Sequence, residues 1–316
     1  MPEFRTEVIP NTLKQQLFYE DKVLLIGSCF SENIGTKFRY FGFNSISNPF
    51  GVVFNPISIA NLLQRCIDKR LFEEKDIYFN QGRWFCFETH GDLAGLTKVE
   101  CLKKHNEVLN SSADFLEQAS CLIITFGSAW VYEHIETDNL VANCHKVPNT
   151  QFRKRLLSID EIEKNFKQLI KNFERSTSSV QFIFTISPIR HWKDGVIENQ
   201  RSKSLLHLAI QSLVEQYDNL NYFPAYEIML DDLRDYRFYK EDMMHPNQQA
   251  VNYIWEKFKN FAIDESCLDL MLRMDKLRSS IAHRPFNEDS TEYQNFKDGM
   301  AKEVLLVKEI LPHLEL

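Results

Sequence analysis

One cysteine and one aspartate–histidine pair have the types and spacing needed for nucleophilic chemistry. Cys29 follows a short apolar run and precedes residues with helical spacing, so we expect its thiol at a helix N-terminus, where the helix dipole lowers a thiol pKa. His245 comes three residues after Asp242 in a predicted turn. A carboxylate so placed can hold one ring nitrogen while the other faces a nucleophile. A free cysteine is also commonly a small buried hydrophobe, and the pattern alone leaves both interpretations of Cys29 open.

Composition narrows the classes of protein to which this chain could belong. The 316 residues include 44% hydrophobic and 26% charged residues and carry a formal charge of -7, which argues against broad surfaces for nucleic acid or anionic lipid. The seven cysteines form no C-x-x-C pair, so neither a disulfide framework nor a zinc ribbon is indicated. No apolar segment approaches the roughly 18 residues that span a bilayer. We therefore expect a cytoplasmic protein with free thiols and no membrane partner.

The elements that must position these residues follow from hydrophobic patterning. Short apolar runs predict buried strands at 23–26, 121–126, 180–186 and 221–223. Helices are predicted from an N-cap at Asn55, from a capping box that begins at Ser158, over about 202–217, and from Pro246. The segment 78–100 is predicted as a hairpin or a long loop. The repeated alternation of strand and helix favours an α/β fold with a mostly parallel sheet and helices on both faces.

The last segment differs in character from the rest. Two apolar stripes at helical spacing, one from Leu270 to Ile281 and one from Phe296 to Leu311, are separated by the residues 283–286. They predict a C-terminal helical hairpin packed on the main domain. We accordingly divide the chain into a domain at 1–264 and an extension at 265–316, and the extension could form a homo-oligomer contact.

Functional groups of open parallel sheets gather outside the carboxyl ends of the strands. The residues that follow the predicted strands are Gly27-Ser28-Cys29, Gly127-Ser128-Ala129-Trp130, Ser187-Pro188-Ile189-Arg190-His191 and Pro224-Ala225-Tyr226-Glu227. Asp242 and His245 come shortly afterwards. These segments form the candidate site.

A local cationic cluster lies within these segments of an acidic chain. It contains Arg190, His191 and Lys193, with Lys146 placed nearby by the same argument. Such a cluster can recognise a phosphate or a carboxylate. The alternative is that these cations pair with acids close in sequence, namely Asp194, Glu198 and Glu227. The sequence leaves both open.

Six motifs in order resemble those of the GSCFA family, which is similar to the SGNH/GDSL hydrolases. They are IGSCFS (26–31), NPFG (48–51), TFGSAW (125–130), NCHK (143–146), SPIRH (187–191) and DMMHP (242–246). The resemblance covers roughly residues 20–262. It implies a three-layer α/β/α sandwich with a mostly parallel, flavodoxin-like sheet, and it says less about the reaction.

The resemblance also implies roles for single residues. Cys29 takes the place of the nucleophilic serine of the Gly-Asp-Ser block, and Ser28 takes that of the aspartate. A cysteine there resembles a Gly-Asn-Cys block in a capsule-polysaccharide biosynthesis group, which implies coenzyme A thioester as an acyl donor. Asp242 and His245 match the Asp-x-x-His block. Ser28 as the nucleophile is the competing assignment.

Stabilisation of an oxyanion is the next implied role. The backbone N–H groups of Cys29 and Gly51 would hold it. The third block, Gly127-Ser128-Ala129, lacks the usual asparagine donor, and Ser128 or Asn48 could replace it. Loss of one such donor typically costs about a hundredfold or more in rate, so the departure makes ordinary esterase activity uncertain.

The expected activity is acyl-ester hydrolysis or acyl transfer on a carbohydrate-like or other small substrate. The implied substrate-binding residues are Gly127, Trp130, Asn143, His145, Lys146, Arg190 and His191. We expect no required cofactor and no metal, because the adjacent cysteine and histidine at 144–145 do not have the spacing of a ligand set. A module that retains the pocket and binds an anionic or carbohydrate ligand without turnover is the alternative.

Overall fold

The computed structural model describes residues 6–176, 180–284, 286–287 and 289–314. Its regular elements along the chain are β1 (Val23–Gly27), α1 (Cys29–Tyr40), β2 (Ser45–Ser47), α2 (Pro56–Ile67), β3 (Tyr78–Asn80), β4 (Arg83–Phe85), α3 (Lys98–Leu116), β5 (Cys121–Phe126), β6 (Trp130–His134), β7 (Asn139–Val141), β8 (Phe152–Leu156), α4 (Ile159–Ser176), β9 (Gln181–Ile186), α5 (Gly195–Val214), β10 (Leu220–Phe223), the short α6 (Ala225–Glu227), α7 (Gln248–Ala262), α8 (Leu268–Ala282) and α9 (Thr291–Ile310).

A parallel sheet of five strands forms the centre of the molecule, in the order β2-β1-β5-β9-β10. If only these strands are counted, the order is 2-1-3-4-5, which is the flavodoxin-like arrangement. The predicted fold class is therefore confirmed. The chain moves from β1 to one neighbour, β2, and then crosses to the other, β5, so the topological switch point lies at the carboxyl ends of β1 and β5. Ligand crevices of open α/β sheets form at such points.

Helices cover both faces of the sheet. On one face α2, α3, α4 and α5 pack on the strand residues represented by Leu24, Ile26 and Ile124. On the other face α1 and α7 pack on Val23, Leu25 and their neighbours. Successive strand residues alternate between these two cores, as strand geometry requires, and both faces are buried. The result is the predicted three-layer sandwich.

The predicted helix starts are confirmed at two caps and wrong at a third. Asn55 Oδ1 accepts the Ser58 N–H at 2.8 Å, and Ser158 Oγ accepts the Glu161 N–H at 3.2 Å. The last main-domain helix, however, begins at Gln248 and not at Pro246, because the Asn247 side chain caps it. Pro246 instead forms an antiparallel bridge with Tyr239, which ties down the loop before α7.

An antiparallel region interrupts the alternation of strand and helix and was not predicted as such. The hairpin β3–β4 confirms one of the two alternatives for 78–100. The sheet β7-β6-β8 and the long helix α3 lay outside the prediction. A small separate core that includes Phe85, Phe87 and Phe152 holds the hairpin against this second sheet.

The C-terminal segment forms the predicted helical hairpin. Met274 of α8, Val307 of α9 and Leu311, which follows α9, are buried in the same core as Phe38 of α1. The predicted stripes are only partly buried, since Ile281 and Phe296 at their outer ends are exposed. Part of the predicted linker, at residue 285, lies outside the described residues. Within the described part of the chain, no helix is long and apolar enough to cross a bilayer.

Candidate functional site

A glycine turn at the end of β1 brings the candidate nucleophile to the switch point. Gly27 has φ +145°, and a Cβ built on it would lie 2.2 Å from the Thr125 carbonyl oxygen of β5. The next amide, the Ser28 N–H, donates to that same oxygen at 3.1 Å. Only glycine permits this close approach of two strand backbones. Helix α1 begins immediately after the turn.

Ser28 and Cys29 have different surroundings. Ser28 is buried, and its Oγ accepts the Phe30 N–H at 3.2 Å as the N-cap of α1. Cys29, the first residue of α1, is half-buried and carries a free thiol. The Ser28 hydroxyl therefore caps helix α1, whereas Cys29 is partly exposed to solvent.

The expected low pKa of the Cys29 thiol is wrong in this structure. Burial raises its pKa, and the opposing influences are the Cys29 N–H, the charges of Lys240 and Lys203, and the Phe30 N–H. The helix N-terminus acts in the predicted direction, but desolvation is stronger. The thiol consequently needs a proton acceptor before it can attack.

Asp242 and His245 form the predicted pair. His245 Nδ1 lies 2.6 Å from Asp242 Oδ2, and Asp242 Oδ1 accepts the N–H groups of Met244 and His245, each at 2.9 Å. The backbone N–H groups of His245 and Met244, followed by the His245 ring, lower the Asp242 pKa to about 2. A carboxylate on Nδ1 favours the tautomer whose Nε2 can accept a proton.

Lys203 is a site residue that our reading of the sequence missed. Its side chain is fully buried, and Nζ donates to the carbonyl oxygens of Gly127 and Ser187, each at 2.8 Å. These carbonyls follow β5 and β9 at the carboxyl edge of the sheet. Burial lowers the Lys203 pKa to about 7, and Cys29 raises it in opposition. A cation thus lies under the site, within electrostatic range of the thiol.

The same electrostatic neighbourhood includes the Asp–His loop. Burial lowers the His191 pKa, and the charges of Lys203 and His245 lower it further. Lys240, whose charge acts on Cys29, donates its N–H to the His245 carbonyl at 2.8 Å. The loop that carries His245 therefore approaches the edge of the sheet at which Cys29 lies.

The NPFG segment supports the nucleophile turn. Asn48 Oδ1 accepts the Gly27 N–H at 2.8 Å, and Asn48 Nδ2 donates to the Ser28 carbonyl at 3.4 Å. The Gly51 N–H donates to the Asn48 carbonyl at 2.8 Å. The Asn48 side chain and the Gly51 N–H, two of the groups expected at an oxyanion, are thus engaged within the protein, and Gly51 would have to release its hydrogen bond to serve there.

The third block is built around a pair of serines. The Ser128 hydroxyl lies 3.1 Å from the Ser202 hydroxyl and accepts the Trp130 N–H at 3.0 Å. Gly127 packs against Phe54, where a Cβ would lie 2.8 Å from the Phe54 Cβ. Trp130 is half-buried at the start of β6. Ser128 therefore keeps a hydroxyl at the carboxyl end of β5, one residue before Ala129, which stands where a Gly-x-Asn block has its asparagine.

The NCHK segment anchors a neighbouring loop. His145 Nε2 lies 2.8 Å from the Cys86 carbonyl oxygen and 3.0 Å from that of Thr89, and Asn143 Oδ1 accepts the His145 N–H at 2.8 Å. Burial lowers the His145 pKa to about 4, so the ring is neutral near pH 7. Lys146 is exposed. The loop that His145 anchors through Cys86 and Thr89 continues to His90, which packs directly on Gly51.

The acids proposed as partners of Arg190 are all engaged elsewhere. Asp194 binds Lys154, Glu198 binds Arg201 at 2.6 Å, and Glu227 binds His207 at 3.0 Å. Arg190 forms no ion pair within the described residues. Its Nε is shielded from solvent without a hydrogen-bond partner, and its guanidinium lies 5.2 Å from the Trp192 ring centre.

Metal chemistry has no evident ligand set in the described part of the chain. No group of three or more His, Cys, Asp or Glu residues is arranged there to hold an ion. Cys144 and His145 do not converge on one point, since the His145 ring is held by two carbonyls.

A parallel α/β sandwich with a thiol at its switch point and an Asp–His loop beside it is the class that fold and site define. The model of the GSCFA family matches residues 22–258, and that of the GSCFA C-terminal domain matches residues 274–316. The chain belongs to the GSCFA family, as its motifs predicted. None of the curated proteins compared matches it.

Among solved structures the chain is similar to a carbohydrate esterase of family 3 from Talaromyces cellulolyticus. The match has a TM-score of 0.37 and 8% identity, and it covers 80% of this chain and 98% of that one.

Proposed function

We propose that the protein transfers or hydrolyses an acyl group through a thioester on Cys29. The observation that carries the proposal is the placement of a half-buried thiol at the switch point, within electrostatic range of Lys203 and of the loop that bears His245. Asp242 holds Nδ1 of that histidine. Together these groups provide a nucleophile, a base and an orienting carboxylate.

In the first step His245 Nε2 accepts the Cys29 proton, and Sγ attacks the carbonyl carbon of an acyl ester or of a coenzyme A thioester. The C–S bond to Cys29 forms, and the bond to the leaving oxygen or sulfur breaks as that atom takes the proton from His245. In the second step water or an acceptor hydroxyl gives its proton to His245 and attacks the thioester carbon. The Cys29 thiolate then leaves and takes the proton from His245, and the acyl product is released.

In its protonated form, which a pKa of about 7 leaves partly populated at neutral pH, Lys203 supplies a positive charge near the thiol. Its ammonium favours the thiolate over the neutral thiol and opposes the desolvation that raises the Cys29 pKa. Because Nζ is anchored on the carbonyl oxygens of Gly127 and Ser187, the charge is held in place and needs no reorganisation during the reaction.

The oxyanion is assigned to the Cys29 N–H, assisted by Ser128. Within the described residues the Cys29 N–H has no hydrogen-bond partner beyond its own thiol, which leaves it available to a substrate oxygen. Gly51 would join only after releasing the Asn48 carbonyl. Substrate binding then primes the site, since an engaged donor stabilises no transition state until it is released.

A binding module without turnover is the second candidate. Two observations favour it: burial raises the Cys29 pKa, and the Gly51 N–H is engaged in the unliganded protein. A small carbohydrate-like or anionic ligand would then occupy the same crevice beside Gly127, Trp130 and His191. Ser28 as nucleophile is disfavoured, because its hydroxyl is buried and serves as the helix cap.

Burst kinetics with p-nitrophenyl acetate separate these candidates. The proposal expects a burst of one p-nitrophenol per protein that Cys29→Ala abolishes and Ser28→Ala retains at reduced rate. Cys144→Ala is the matched control, since Cys144 is also a half-buried free thiol. A burst that survives Cys29→Ala and disappears in Ser28→Ala would make Ser28 the nucleophile. Absence of any burst, combined with ligand binding, would favour the module.

A further inference from the structure

A cavity of about 220 Å³ lies beside the Asp–His loop and is separate from the thiol itself. It is lined by the loop that follows β9, by the segment after α6, and by the loop that carries Asp242 and His245. The residues that define it are Arg190, Trp192, Leu233, Tyr236, Tyr239 and Met243. Met243 belongs to the loop that carries Asp242 and His245, so the cavity borders the loop of the proposed base.

Arg190 brings a charge to this cavity that no described acid neutralises. The acids near it in sequence are engaged by other cations, and its Nε has no partner. The acid that lines the cavity, Asp235, is bound to Arg237 at 3.1 Å, and the lining Arg234 is bound to Asp231 at 2.7 Å. A partly buried cation without a counter-charge is unfavourable, and an anionic ligand would supply the missing partner.

Apart from the ion-paired Arg234 and Asp235, the remaining walls are apolar and aromatic. The guanidinium lies 5.2 Å from the Trp192 ring centre, and the rings of Tyr236 and Tyr239 lie 6.4 Å apart, centre to centre. Leu233, also part of the lining, is buried. Aromatic walls favour a flat or aliphatic body, so the cavity combines the unpaired cation Arg190 with aromatic and apolar residues beside the ion-paired Arg234 and Asp235.

We propose that this cavity, the Arg190 pocket, binds the carboxylate of an aromatic or short aliphatic group. A single planar guanidinium suits a planar monoanion, which it can hold through two parallel hydrogen bonds, whereas a doubly charged phosphate calls for more than one cation. If the acyl chemistry proposed above is right, this carboxylate group is part of the substrate of Cys29, and that assignment rests on the proposed function. The binding of the carboxylate does not.

Isothermal titration calorimetry with phenylacetate and its neutral counterpart phenylacetamide tests the proposal on the full chain. We expect phenylacetate to bind the unmodified protein more tightly than phenylacetamide does. Arg190→Met should weaken phenylacetate roughly ten- to hundredfold, as expected for loss of a charge-assisted pair, and should leave phenylacetamide unchanged. Arg190→Lys should give an intermediate loss, because an ammonium keeps the charge without the fork.

Two controls isolate the pocket. Arg201→Met removes one positive charge from neighbouring α5, where Arg201 is already paired with Glu198, and it should leave phenylacetate binding intact. Cys29→Ala should do the same, so a failure of the acyl chemistry would not affect this readout. The proposal is overturned if Arg190→Met binds phenylacetate as the unmodified protein does, if phenylacetamide binds equally well, or if inorganic phosphate binds Arg190 more tightly than phenylacetate.

Discussion

At the scale of single residues, Lys203 is the side chain whose surroundings differ most from what its type suggests. A lysine in an amphipathic helix is expected on the solvated face, yet Lys203 lies on the buried face of α5 with Ser202, Leu206 and Ile210. The signal was present in the sequence, because positions 203, 206 and 210 share one helical face. The ordinary preference of lysine for solvent outweighed it. The position of Cys29 at a helix start and the contact between Asp242 and His245, by contrast, were predictable from type and spacing.

Replacement of Lys203 by methionine should slow alkylation of Cys29. The change removes a cation that favours the thiolate, and we expect the rate with iodoacetamide at pH 7 to fall about three- to tenfold. Peptide mapping of the labelled protein measures the rate at Cys29 alone. Lys193→Met is the control, since the charge of Lys193 acts on Cys144. An unchanged Cys29 rate in a folded Lys203→Met protein would remove Lys203 from the mechanism.

The same lysine predicts a pH dependence of folding stability. Its pKa is about 7 in the folded protein against an ordinary value of 10.5, so between these values the unfolded chain holds a proton that the folded protein has released. Stability due to this group therefore rises with pH over that window, by up to about 1.4 kcal/mol per pH unit. Urea unfolding at pH 7, 8 and 9 measures it. The free energy of unfolding of the unmodified protein minus that of Lys203→Met should increase with pH, and a difference that does not change with pH would contradict the assignment.

At the scale of elements, the turn from β1 to α1 determines where the thiol points. The strands β1 and β5 and the capped helix α4 could be predicted because each has an uninterrupted apolar run or a complete capping box. Strand β2 has three half-buried residues, and α3 buries polar side chains such as His105 and Ser112, so neither gives a clear apolar period. Strand β8 exposes Arg153 and Lys154, so it too lacks the apolar run from which a strand is predicted. The apolar pattern of a segment predicts burial only from its own residues. The burial of these elements depends on contacts with residues distant in sequence, so it could not be predicted from that pattern.

Substitution of Gly27 by alanine should disrupt this turn. The added Cβ would lie 2.2 Å from the Thr125 carbonyl oxygen at a φ of +145°, and we expect a loss of about 2–5 kcal/mol in the free energy of unfolding. Gly299→Ala is the matched control, because it lies within α9 with nothing within 4 Å of its Cβ position. That change should stabilise by about 0.5–1 kcal/mol. Equal effects of the two substitutions in urea unfolding would show that the close approach is not needed.

At the scale of the whole molecule, the C-terminal hairpin supports the far end of the helix that carries the thiol. Met274 and Leu311 pack near Gly42, just beyond the C-terminus of α1, whereas Cys29 begins that helix. A helix of this length measures about 18 Å. The hairpin is therefore expected to contribute stability without direct influence on the chemistry. The boundary at residues 264–265 and a homo-oligomer contact through the hairpin stay predictions.

Met274→Ala should separate stability from reactivity. The side chain is fully buried, and its truncation should lower the free energy of unfolding by about 2–5 kcal/mol while the Cys29 alkylation rate under native conditions stays unchanged. Leu272→Ala on the same helix is the control, since Leu272 is 61% exposed and its loss should cost less than about 0.5 kcal/mol. A large change in the Cys29 rate with Met274→Ala would instead connect the hairpin to the site.

Intact mass spectrometry tests the central claim most directly. The protein is incubated separately with acetyl coenzyme A and with simple acetyl esters, quenched in acid, and mapped by peptide. The proposed function predicts one acetyl adduct on Cys29 with at least one of these donors, absent in Cys29→Ala and slower to form in Lys203→Met. An adduct on Ser28, or complete absence of an adduct on Cys29 with every donor, would contradict the thioester mechanism.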